Sequence, residues 1–89
     1  MKIVETKRFS KQLKKLPQEV KNKYRDRLLL FLSEPMHPVS RVHSLKSGLA
    51  YLSSFNVTGD YHVWFSQSTS DQKTILELVA IGTHSELYG

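Results

Sequence analysis

Eighty-nine residues have no room for two cores, so the chain is expected to form one domain over residues 1–89. It contains no cysteine, which excludes a disulfide framework and a thiolate metal site and suits a reducing compartment. The net charge of +5 is unevenly spread: residues 1–50 hold twelve Lys and Arg against four acidic residues, and residues 51–89 hold one Lys against four. A positive field on the first half favours a polyanion or an acidic protein as partner.

The opening Met1-Lys2-Ile3-Val4-Glu5-Thr6-Lys7-Arg8 lacks the apolar stretch of a secretory signal. The longest apolar run, Leu28 to Leu32, is far too short to span a bilayer, so a cytoplasmic protein without membrane contact is expected. Lys2 to Thr6 alternates weakly and reads as a short strand at or near a sheet edge. Phe9, Leu13 and Leu16 then recur at helical spacing with Lys7, Arg8, Lys11, Lys14 and Lys15 opposite, predicting an amphipathic helix over 8–16 that Pro17 ends. Pro17 also suits the first turn of a second helix, whose stripe is Val20, Tyr24, Leu28 and Phe31. Leu29, Leu30 and Leu32 predict deeper burial toward its end.

Pro35 and Pro38 mark a loop, and Ser47-Gly48 a turn. Between them, Arg41, His43 and Lys46 make a basic stretch with no acidic residue. Tyr51, Ser53, Phe55 and Val57 alternate as a strand. Thr58-Gly59 is expected to close a tight hairpin with Gly59 at positive φ. The return strand sets Tyr61, Val63 and Phe65 on one face and Asp60, His62 and Trp64 on the other. Gln67 to Gln72 reads as a polar turn, and Thr74 to Ile81 as a central strand buried on both faces and bounded by Gly82. The pattern of one strand, two helices and three hairpin-linked strands predicts an α+β fold. Its two N-terminal helices pack on one face of a small antiparallel β-sheet, and the other face, with Asn56, Asp60 and His62, is left open for a ligand.

His37, His43, His62 and His84 show no paired metal spacing, no glycine-rich loop is present to cradle a nucleotide, and no serine sits in a nucleophile elbow. Neither a metal nor another cofactor is expected. Acid–base chemistry remains. His84 leaves the rigid end of the last strand, and antiparallel pairing can gather it with His43 and Asp60. Imidazoles and a carboxylate among cations suit metal-independent RNA cleavage, in which a base deprotonates the 2′-OH, an acid protonates the departing 5′ oxygen, and cations stabilise the phosphoryl oxygens.

Four segments resemble the RelE superfamily of bacterial toxins, its YafQ branch above all. They are Phe9…Leu13…Leu16; Leu45-Lys46-Ser47-Gly48; Phe55-Asn56-Val57-Thr58-Gly59-Asp60-Tyr61-His62-Val63; and the ending Ile81-Gly82-Thr83-His84-Ser85-Glu86-Leu87-Tyr88-Gly89. The resemblance implies a ribosome-dependent mRNA endoribonuclease, the toxin half of a type II toxin–antitoxin pair, with a cognate antitoxin, the ribosome and mRNA as partners. It matches His84 to the general acid, His43 and Asp60 to base and substrate-orienting positions, and Tyr88 to a C-terminal aromatic able to stack on a base or shape the pocket. Asn56 departs from the branch by standing where a second histidine can occur, which leaves base duty to His43, Asp60 or His62. Lys46 and Arg41 are the cations expected nearest the phosphate. The alternatives are a ParE-like gyrase-binding toxin, which has no need of His84, a degenerate relative that binds its antitoxin without cutting, and a plain RNA-binding module.

Overall fold

In the computed structural model, residues 1–88 are described, with the backbone alone for Ser47. The elements are β1 (Lys2–Glu5), α1 (Lys7–Lys14), α2 (Gln18–Ser33), β2 (His43–Ser44), β3 (Ser53–Asn56), β4 (Tyr61–Ser70), β5 (Lys73–Thr83) and α3 (His84–Tyr88), with short 3₁₀ turns at Pro38–Ser40 and Ser47–Leu49. The fold is α+β, with α1 and α2 on one face of a five-stranded sheet of order β1-β5-β4-β3-β2.

Strands β2 to β5 run antiparallel, whereas the edge strand β1 joins β5 in parallel, so the sheet is mixed. The parallel pairing comes from a remote partner that local alternation does not identify. Phe9 of α1 and Tyr24 and Phe31 of α2 pack on Phe55, Val57, Val63, Phe65, Leu76, Leu78 and Ile81. At its centre Phe31 stacks on Phe55 with ring centroids 5.0 Å apart and tilts against Phe65 at 4.9 Å. The helical stripe read from the sequence therefore faces the sheet, but Leu29 points outward and is 66 % exposed.

β1 ends at Glu5, beside Leu78, and leaves the upper half of β5 without a strand on that side. α1 supplies substitutes. The Thr6 side chain caps α1, accepting from the Phe9 N–H at 3.0 Å, and donates to the Val79 carbonyl at 2.9 Å; Gln12 Oε1 accepts from the Ile81 N–H at 2.9 Å. Backbone groups that an edge would leave unpaired are thus satisfied by side chains. Trp64 pairs with Ala80 but Phe65 pairs with Leu78, so Val79 is an extra residue on β5. This bulge explains why Leu76, Leu78 and Ile81 share a face despite the odd step between them.

Three local expectations change. Gly59 does not adopt positive φ; the hairpin is held instead by Thr58, whose hydroxyl accepts from the N–H groups of Asp60 and Tyr61 at 3.1 Å each. The polar segment 67–72 is strand for most of its length, since β4 runs to Ser70 and the turn to β5 is only Asp71-Gln72, with φ of 51° and 64°. Both residues in the left-handed region are what a two-residue hairpin requires. The face opposite α1 and α2 is not wholly open: Leu45, Leu52, Trp64, Ala80 and Leu87 form a second small core there. A tryptophan on a sheet face presents too much apolar surface to leave wet, and the 45–52 segment and α3 cover it.

Candidate active site

The pairing register builds the site. His43, Ser54, Trp64 and Ala80 lie side by side across β2, β3, β4 and β5, and Asn56, His62 and Gly82 form the next row toward the end of the sheet. Directly opposite residues project to the same face, so His43, Asn56 and His62 share the face that lacks α1 and α2.

α3 completes it. Thr83 and Glu86 form a reciprocal cap, the Thr83 N–H donating to Glu86 Oε1 at 2.8 Å and the Glu86 N–H to Thr83 Oγ1 at 3.2 Å. The short helix is thereby started at His84. It turns back tightly over Gly82, where a β-carbon would stand 3.2 Å from Glu86 Oε1 and 3.3 Å from Glu86 Cβ. His84 and Tyr88, one helical turn apart, stack with centroids separated by 4.4 Å. Tyr88 meets Trp64 edge-on at 5.0 Å, and the Arg8 guanidinium lies 5.8 Å from the Trp64 ring centre. The second core thus holds the aromatic side of α3, and His84 with it.

His62 and His84 approach edge to face at 6.3 Å between centroids. His62 Nδ1 lies 2.9 Å from Asn56 Oδ1, and His43 Nδ1 lies 2.9 Å from the Arg41 carbonyl oxygen. Burial holds His62 below the ordinary imidazole pKa of 6.5; the positive forms of His84 and His43 act in the same sense, and Asp60 opposes them. An open cleft of about 470 Å³ is lined by His43, Lys46, His84 and Tyr88 among others; His62 is outside this lining and reaches it through His84.

The structure thus brings His43, His62, His84, Lys46 and Tyr88 to one end of the sheet. Asn56, opposite His62 on β3, lines a second concavity with Arg27 and Arg41. Arg41 closes the 3₁₀ turn in the left-handed region, at φ 45°. Asp60 is exposed in the β3–β4 turn and lines neither hollow, reaching the group through its charge on His62. Gly89 lies outside the described residues. Among the described residues no three His, Asp or Glu side chains are grouped to hold a metal ion, and no helix is long and apolar enough to cross a membrane. Trp64, Gly82 and the Thr83–Glu86 cap were not singled out in the sequence as parts of the site. The cap was visible there as Thr-x-x-Glu, and the place of Trp64 follows only from the register.

No protein-family model and no curated protein sequence matches the chain. Solved structures do. YafQ from E. coli strain BL21(DE3) superposes with a TM-score of 0.79 at 24 % identity, covering 98 % of this chain and 97 % of YafQ. A YoeB/ParE toxin from Agrobacterium tumefaciens gives 0.78 at 20 % identity over 94 % and 99 % of the two chains. A chain of the E. coli DinJ–YafQ toxin–antitoxin complex gives 0.77 at 23 % identity over 98 % and 96 %. With nearly full coverage in both directions, the chain has the fold of the YafQ and YoeB/ParE toxins.

Proposed function

We propose that this chain is the toxin of a type II toxin–antitoxin pair and cuts mRNA on the ribosome by metal-independent acid–base chemistry. The observation that carries the reading is a cleft lined by His43, His84, Lys46 and Tyr88, with the His62 ring 6.3 Å from that of His84.

In the proposed reaction a base takes the 2′-OH proton and O2′ attacks the adjacent phosphorus. The P–O5′ bond breaks, and His84 donates a proton to the departing O5′. The products are a 2′,3′-cyclic phosphate and a 5′-OH end. Lys46, with Arg41 beyond Asn56, stabilises charge on the non-bridging oxygens. Tyr88, already stacked on His84, offers an aromatic face to a base of the substrate. His43, His62 and Asp60 are the available proton acceptors. DinJ–YafQ is a toxin–antitoxin complex of a structural neighbour, which supports an antitoxin as this chain's partner. Work on translated mRNA makes the cytoplasm the site of action.

The test is primer extension on mRNA translated by purified ribosomes in the presence of the protein. The wild-type chain is expected to create new 5′ ends, and His84→Gln to reduce their rate of appearance by at least about 10². Undiminished cutting by His84→Gln overturns the acid assignment. Growth arrest without new 5′ ends, insensitive to that substitution, would favour gyrase binding of the ParE kind, a reading to which the YoeB/ParE neighbour lends the same fold. Antitoxin binding without cutting or arrest would mark a degenerate relative.

A further inference from the structure

We propose that His62, oriented by Asn56, is the general base that takes the 2′-OH proton. The inference rests on the nuclease reading and names the acceptor which that reading leaves open.

The three candidates differ in how they are held. Asp60 is exposed in the β3–β4 turn, outside any strand. His43 lines the cleft and its Nδ1 meets the Arg41 carbonyl at 2.9 Å, but it is exposed on β2, a two-residue strand at the sheet edge. His62 is half-buried on β4, with β3 and β5 paired on either side of it. A proton acceptor works best from a rigid element with its ring fixed. Its cross-strand partner on β5 is Gly82, so no side chain from that position stands between the His62 ring and α3.

The contact with Asn56 suits one tautomer of the ring. Asn56 Oδ1 lies 2.9 Å from His62 Nδ1, and because an amide oxygen only accepts, the ring proton is assigned to Nδ1. Nε2 then carries the bare lone pair that a base requires. Asn56 is directly opposite His62 on β3 and is a positioning residue: it touches the ring, and the ring acts. The groups facing His62 are Asn56 from β3, Asp60 from its own hairpin, His43 from β2 and His84 from α3. Burial together with the two other imidazoles disfavours the imidazolium, so His62 is neutral at pH 7 and ready to accept. With 6.3 Å between the two centroids, each ring can reach a different oxygen of one phosphodiester through a hydrogen bond of about 3 Å.

The step balances within the site. His62 Nε2 gains the 2′-OH proton as the O2′–P bond forms, and His84 loses one to O5′ as the P–O5′ bond breaks. Exchange with solvent resets both rings.

The test is the single-turnover cutting rate at saturating ribosomes for the full chain and its variants. His62→Ala is expected to lose about 10² to 10⁴ in rate, with added imidazole restoring part of the loss. His62→Gln, which keeps more of the side-chain volume, should lose as much while unfolding near the wild-type temperature. Asn56→Ala should cut more slowly. Asn56→Asp keeps the acceptor, so it should cut while its acidic rate limb moves to higher pH, because a carboxylate favours the imidazolium. A purely structural asparagine would leave that limb in place. If the wild-type chain cuts and both His62 variants cut at its rate, or if loss follows His43→Ala instead, the inference is overturned and the nuclease reading stands. If the wild-type chain makes no cut on ribosomes, the nuclease reading falls and takes the inference with it.

Discussion

His62 carries its burial as a pH dependence of folding. Its pKa is lowered in the folded chain, so the unfolded chain binds the proton more readily. The contribution to stability is complete above the unfolded value near 6.5 and is lost as pH falls from there through the folded value. The melting temperature should therefore decline as pH drops below 6.5. His62→Gln should flatten that decline without abolishing the steeper acid unfolding that protonated carboxylates bring. A decline of equal slope in both proteins would assign the effect to other groups. Tyr24 has the opposite sense: burial, with Glu5 beside it, pushes its phenol up to about 12, so Tyr24 stays neutral as pH falls and adds nothing to this window.

At the scale of elements, α3 is the part on which chemistry most depends and which has the least to hold it. Five residues make one turn and a half, too short to persist without tertiary contacts. Its start rests on Thr83 and Glu86, its packing on Leu87 and Tyr88, and its close turn on Gly82. Thr83→Ala should cost about 0.5–2 kcal/mol in stability by denaturant unfolding. It should also slow cutting more than that loss of folded protein explains, since His84 is the first residue of the helix. Activity equal to wild type at full occupancy of the folded state would separate the cap from the site. The same elements show what was legible. Phe9, Leu13 and Leu16, and the stripe from Val20 to Phe31, announced both helices through their period alone, and the alternation of Tyr61, Val63 and Phe65 announced β4. α3 was too short for a period, and β2, at two residues, too short for alternation. The bulge at Val79 and the roles of Thr6 and Gln12 depend on which backbone groups lack a partner, and only the assembled sheet decides that.

Across the whole molecule basic residues reach both sides of the sheet: Lys46 lines the cleft and Arg8 of α1 reaches Trp64, while the bodies of α1 and α2 lie on the other face. α1 and α2 cover the face opposite His43, His62 and His84, and Lys11, Lys14 and Lys15 are exposed at the end of α1. The basic bias of the first half was plain in the sequence, but not which sheet face its helices would cover, because only the assembled sheet decides that. Lysines far from a scissile phosphate can add affinity for ribosomal RNA without taking part in the step. Replacing Lys11, Lys14 and Lys15 together by Gln should weaken ribosome binding, measured by co-sedimentation across a salt series. The slope of log affinity against log salt should fall by about 0.7–0.9 for each phosphate that the variant no longer neutralises. Single-turnover cutting at saturating ribosomes should stay at the wild-type rate. Lys46→Gln, at the cleft, should do the reverse, slowing the cut with a smaller change in salt slope. An unchanged slope in the triple variant would show that the helices do not touch the ribosome and that the site face binds it alone.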